Sequence, residues 1–207
     1  MNDFGAPKFS RLGLHALVLS APGEPSLENQ QRIWTLNDDA RAWEGIRERV
    51  PGMNNLTILF EESAISEADL RERLLHAWNA SADAARSAHH RRYELPVRYG
   101  ADAGPDIESV AEATGLRVKD VIELHCAREY VVYFIGFQPG FAYLGENDSR
   151  LRVPRKARPR ASVPAGSVAI AGSQTGVYPC ASPGGWNIIG RCETTLFDPT
   201  REPATLL

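Results

Sequence analysis

The chain has few cysteines, few lysines and no long hydrophobic run. Its 207 residues contain three cysteines, Cys126, Cys180 and Cys192. An odd, scattered set forms neither a disulfide framework nor a zinc pattern, and it suits a reducing, cytoplasmic setting. The apolar runs, such as Val131–Gly136, fall far short of the roughly 20 residues that cross a bilayer. Met1–Arg11 carries Asp3, Lys8 and Arg11 without an apolar core, so no signal peptide is expected. The net charge is −3 and the pI about 6.0. No global positive field draws the chain to nucleic acid or an anionic membrane. The only lysines are Lys8, Lys119 and Lys156, and none follows a glycine. Neither G-x-x-x-x-G-K-[ST] nor G-x-G-x-x-G occurs, so the backbone cradles of P-loop and Rossmann proteins are excluded. No histidine sits in H-E-x-x-H, and no metal site is expected. Gly172–Gly176 holds its serine one position too early for a nucleophile elbow.

Apolar residues make up 43% and charged residues 24%, as in an ordinary globular chain. The length suits one large domain or two small ones of roughly 100–150 residues. Ala16–Ser20 and Asn55–Phe60 read as strands. Ser26 caps a helix expected to run to about Arg49, and Ser66 with Asp69 opens a second, bearing Leu70, Leu74, Leu75 and Trp78 on one face. With a strand over Tyr93–Tyr99, this predicts a βαβα rhythm and a small α/β sandwich. The segment 81–92 lacks an apolar stripe and reads as a linker. Two short helices follow, over Pro105–Ala113 and from Val118 or Lys119 to Ala127. Their spacing resembles a helix–turn–helix, but residues 105–128 hold five acids against three bases, the wrong sign for phosphate. Cys126 beside His125 reads as a small buried hydrophobe on a helix.

From Gly136 onward the texture changes. These 72 residues hold 8 of the 14 prolines and 9 of the 17 glycines. Tyr130–Phe134, Ser167–Ala171, Gly176–Tyr178 and Asn187–Ile189 are strand-sized runs between turns, the pattern of an antiparallel barrel or sandwich. Six basic residues and no acid lie between Arg150 and Arg160. Glycines admit close backbone approach and arginines grip carboxylate or phosphate, so a pocket wall is one reading and a stiffened surface the other.

The motifs GFQPGFAYLG (Gly136–Gly145), PRKARPR (Pro154–Arg160), VPAGSVAIAGSQTGVYP (Val163–Pro179), SPGGWNIIGR (Ser182–Arg191) and LFDP (Leu196–Pro199) resemble the KipI / allophanate hydrolase subunit 1 family. That family is also described as the carboxyltransferase C–D subdomain and as the B-type subunit of 5-oxoprolinase. The chain departs from the pattern at Ala142, Glu146 and Ser173. The resemblance implies a cyclophilin-like antiparallel β-barrel for the C-terminal domain; with the rhythm and linker read above, this gives an α+β chain with an N-terminal α/β domain over 1–88 and the barrel over 89–207. It implies ATP-dependent opening of 5-oxoproline to glutamate in a multi-chain complex, with ATP used by the complex and not held by a P-loop here. The implied partners are an allophanate hydrolase subunit 2-like protein (the C-type subunit of 5-oxoprolinase) and a protein like the A-type subunit of 5-oxoprolinase. Related members inhibit a sensor histidine kinase or transfer carboxyl groups in biotin-dependent urea carboxylase, and these are the alternative functions. On this reading Gln138, Pro139, Gly140, Phe141, Tyr143, Gly184, Gly185 and Trp186 line a pocket. Arg155, Arg158 and Arg160 bind an anionic group, Gln174 and Tyr178 supply neutral hydrogen bonds, and His125 is the acid–base candidate.

Overall fold

The computed structural model describes residues 5–81 and 91–204. Most of the expected linker therefore lies outside the described residues. The chain divides into two compact units, Met1–His90 and Arg91–Leu207.

In the first unit, four strands form an antiparallel sheet: β1 (Lys8–Leu12), β2 (Ala16–Ser20), β3 (Ile46–Gly52) and β4 (Asn55–Phe60), in the order β1-β2-β4-β3. Alternation in β2 and β4 sends Leu17, Leu19, Leu56, Ile58 and Phe60 to one face, all fully buried. Two helices cover that face, α1 (Leu27–Asp39) with Ile33 and Leu36, and α2 (Glu67–Ala80) with Leu70, Leu74 and Trp78. Both start where expected. The Ser26 hydroxyl accepts from the Asn29 amide at 3.2 Å and that of Ser66 from the Asp69 amide at 3.1 Å.

The first helix is shorter than the sequence predicts, and the rhythm is ββαββα. A 3-10 turn over Ala40–Ala42 ends it, and Ile46–Gly52 is a strand. Arg47 and Glu48 suit this edge position because both are exposed to water, where Arg47 meets Glu61 at 2.7 Å. A tight turn at Met53-Asn54, with Asn54 at φ +59°, joins it to β4. Pairing with β4 over six positions outweighs local propensity.

The second unit is built on a six-stranded antiparallel sheet. Its strands are β5 (Val97–Tyr99), β6 (Val131–Ile135), β7 (Ala142–Gly145), β9 (Ser167–Ala171), β10 (Gln174–Val177) and β12 (Asn187–Cys192). The order is β5-β12-β9-β10-β7-β6. A separate two-stranded ribbon pairs β8 (Arg160–Val163) with β11 (Ser182–Gly184). The expected antiparallel architecture is present as this sheet and ribbon; among the described residues the sheet ends on β5 and β6 with no pairing between them. Two helices, α3 (Ile107–Thr114) and α4 (Val118–Cys126), complete the unit.

The continuous apolar run of β9 is buried on both faces. Val168 and Ile170 join Ile107, Val110, Val121 and Ile189 in one core, while Ala169 and Ala171 join Phe141, Tyr178, Trp186 and Ile188 in another. Gly104 permits the chain before α3 to lie on β12, since a Cβ there would stand 2.0 Å from the Ile189 carbonyl oxygen. Gly115 ends α3 in the left-handed conformation at φ +67°.

Candidate functional site

Two polar centres organise the second unit. The first is Asp106, just before α3 and 3% exposed. Its carboxylate accepts from Arg160 Nη1 at 2.8 Å and Nη2 at 2.7 Å, from Lys156 Nζ at 2.7 Å and from the Ile188 amide at 2.7 Å. Burial alone would raise the carboxyl; the bonds from Arg160, Lys156 and Ile188 outweigh it and hold Asp106 below the usual carboxylate range. The Asp106 amide also donates to the Ile188 carbonyl at 2.9 Å. One residue thus ties the start of α3, the basic segment and β12 together.

The six basic residues of Arg150–Arg160 are accordingly not equivalent. Arg150 is paired with Asp148 at 2.8 Å, and Lys156 and Arg160 are committed to Asp106. Arg152 is exposed with no acidic partner among the described residues, and the same holds for Arg155 and Arg158. The latter two border an open cavity of about 370 Å³ between α3 and the 153–158 segment, edged by the exposed Ala113 and Pro154 over the buried Val110 and Val153. Ser109 and Asn187 also reach it. Asn187 Nδ2 donates to the Pro154 carbonyl at 2.9 Å and fixes the entry to the segment.

The structure brings the basic segment onto the SPGGW motif. The Lys156 amide donates to the Gly185 carbonyl at 2.7 Å, and the Arg155 guanidinium lies 5.9 Å from the centre of the Trp186 ring. Beneath this, Phe141 packs edge-on against Tyr178, Trp186 and Tyr143, with centroids 5.2, 5.7 and 4.9 Å away. Phe141, Tyr178 and Trp186 are buried, so these aromatics floor the motif region as a packed core. Gly184 lies directly on Tyr178, where a Cβ would stand 2.4 Å from the hydroxyl. Gly140, buried at φ +77°, sits against Phe197 and Pro179. Gln138 Nε2 donates to the Cys180 carbonyl at 3.3 Å, while neighbouring Pro139 is exposed. Gln174 is part-buried on β10; its Nε2 has no hydrogen-bond partner, and its backbone carbonyl accepts from Asn147 Nδ2 at 2.7 Å.

The second polar centre is His125, on the last turn of α4 and 6% exposed. Nδ1 lies 2.7 Å from the Tyr99 hydroxyl and Nε2 2.8 Å from that of Thr175. Thr175 donates to the Ala169 carbonyl at 3.1 Å. Its oxygen therefore accepts from Nε2–H, which leaves Nδ1 to accept from Tyr99. Burial lowers the imidazole to about 4, and it is neutral at pH 7. His125 does not line the cavity. Cys126 is exposed, not buried as the sequence suggested, and its thiol approaches the same Tyr99 hydroxyl at 3.5 Å.

Sequence reasoning missed Asp106 and the Tyr99–His125–Thr175 chain. The signal for Asp106 was an acid at a helix start paired with the one lysine of an arginine-rich segment.

The family model for the carboxyltransferase domain, subdomain C and D, matches residues 7–207. The chain belongs to this family. It is 46% identical over 196 residues to the B-type subunit of 5-oxoprolinase from Escherichia coli O157:H7, a match covering 95% of this chain and 89% of that protein. The crystal structure of TTHA0988 superposes with a TM-score of 0.74 at 36% identity over 93% of this chain; the match spans only 37% of that longer chain. Urea amidolyase of K. lactis shares the fold at a TM-score of 0.74 and 17% identity, over 97% of this chain and 14% of that one. Among the described residues no helix is long and apolar enough to cross a membrane.

Proposed function

We propose that this chain is the B-type subunit of a cytoplasmic, ATP-dependent 5-oxoprolinase that opens 5-oxoproline to glutamate. It acts with an allophanate hydrolase subunit 2-like protein (the C-type subunit) and with a protein like the A-type subunit. The observation that carries this reading is the 46% identity to the Escherichia coli B-type subunit over nearly the whole chain. In the same reading the halves are domains over 1–88 and 89–207, and the second is kin to the cyclophilin-like barrels. The chemistry activates the lactam carbonyl by phosphorylation before hydrolysis. Since this chain lacks a P-loop, ATP is held either by another subunit or by an arrangement of a different kind. This chain contributes the Arg155–Arg158 face, where an anionic group meets paired donors. The likeness to urea amidolyase, at 17% identity, speaks for the shared fold and not for biotin-dependent carboxyl transfer.

The test is reconstitution. The three purified chains together should release glutamate from 5-oxoproline and ATP, and omission of this chain should abolish release. A complete mixture that stays silent beside an active Escherichia coli complex, or one equally active without this chain, refutes the reading.

A further inference from the structure

We infer that the free edge of β6 and the turn after it form a docking surface for a second protein, with Phe137 as its anchor. The occupant is the subunit 2-like chain of the proposed complex. It lays an apolar strand along β6, receives the Phe137 ring in a pocket and offers an acid to Arg155. The inference rests on the reading of this chain as one subunit of that complex and adds the surface through which it assembles.

Four observations carry it. The first is the contrast between the two ends of the six-stranded sheet. Strand β5 is three residues long and carries Arg98 at its centre. Strand β6, Val131–Ile135, has five residues with no charge and no proline, and so lacks the features that keep an edge strand from pairing with another chain. The second is exposure. Ile135 is 49% exposed and Phe137 60%. The third is the turn. Phe137 stands at φ +67°, and the Gln138 amide donates across it to the Gly136 carbonyl at 2.7 Å. This is a γ-turn of the rare positive-φ kind, strained for an aromatic residue. Its neighbours hold it there: the Gly136 amide donates to the Phe141 carbonyl at 3.2 Å, and the Phe141 amide to the Gln138 carbonyl at 3.0 Å. The ring touches Phe141 and Tyr178 only edge-on, with centroids 5.5 and 6.4 Å away. A strained backbone that holds an aromatic ring in water returns its cost when a partner buries that ring. The fourth is charge. Trp186, 5.7 Å from Phe141, lies 5.9 Å from the Arg155 guanidinium, which has no acidic partner among the described residues. An acid on the partner complements it at the rim. A different protein fits better than a second copy, because in TTHA0988 the matched part is only 37% of a longer chain, where the same fold accompanies a larger remainder.

The test is calorimetric titration of the full chain with the purified subunit 2-like chain. Phe137→Asn and Ile135→Lys should each weaken binding by about tenfold or more. Asparagine tolerates positive φ, so Phe137→Asn should keep or raise the melting temperature. Leu14→Asn, at a leucine 72% exposed in the first unit, should bind as wild type does. Several results overturn the inference: no binding by the wild-type chain, unchanged affinity in either β6-edge variant, an equal loss with Leu14→Asn, or a melting temperature lowered by Phe137→Asn. A wild-type homodimer that Ile135→Lys dissolves, without binding of the subunit 2-like chain, overturns it as well. The outcome separates from that of the reconstitution. Phe137-dependent assembly in a complex that releases no glutamate removes the 5-oxoprolinase reading alone. An active complex whose assembly ignores both substitutions removes the docking surface alone.

Discussion

Lys156 and Arg160 are near neighbours of Arg155 and Arg158 in one basic segment, yet the two pairs have opposite surroundings. Lys156 and Arg160 turn inward onto a buried carboxylate. Arg155 and Arg158 turn outward beside a cavity with no acidic partner among the described residues. Residues of like charge thus do different physical work: the inward pair fixes the segment, and the outward pair remains available to a ligand. His125 adds a third case, a buried polar group satisfied without any charge.

The largest expected effect comes from breaking the inward pair. Asp106→Ala leaves Arg160 and Lys156 beside a hole and the Ile188 amide unpaired. Chemical denaturation should show a loss of about 3–5 kcal/mol, the range for removing one partner of a buried pair. Arg160→Gln should cost less, about 1.5–3 kcal/mol, because Lys156 still faces the carboxylate. His125→Ala should cost about 1–3 kcal/mol through the stranded Tyr99 and Thr175 hydroxyls.

Acid separates the charged centre from the neutral one. Unfolded His125 takes up a proton below about pH 6.5, whereas the folded imidazole resists until about 4. The unfolded state binds more protons in that window, so stability falls as pH drops from 6.5 to 4. His125→Gln should flatten this slope. Asp106, held below the usual carboxylate range, adds its loss only at lower pH, as the unfolded carboxyl protonates first. Asp106→Asn should flatten that second region and leave the first intact. Equal slopes in wild type and the histidine variant would show that His125 is not held neutral by the fold.

The fold was legible where periodicity is simple. Ala16–Ser20 announces its strand as a short apolar run, Asn55–Phe60 follows the Pro51-Gly52 stop as a second, and Ser26 and Ser66 mark their helices by capping chemistry. The edge strand β3 was misread as helix, because Arg47, Glu48 and Arg49 carry no alternation and their conformation is set by pairing with β4. Strands β7, β8 and β11 were hidden in Gly- and Pro-rich motifs; β8 and β11 pair with each other across the intervening β9 and β10, and β7 pairs with β10 as well as with its neighbour β6. At the candidate site, the sequence marked Arg155, Arg158, Trp186 and Phe141 by composition. It could not tell the inward from the outward cations, since that depends on Asp106, some 50 residues away. Nor could it place Thr175 against His125, also 50 residues apart.

The division of the basic segment is tested most directly by one paired measurement. Arg158→Gln and Arg160→Gln chains are each assembled into the reconstituted complex, and glutamate release is followed beside the melting temperature of each chain. Arg158→Gln should lose release with its melting temperature unchanged, and Arg160→Gln should lower the melting temperature. Full release with Arg158→Gln, or an unchanged melting temperature with Arg160→Gln, would contradict the account.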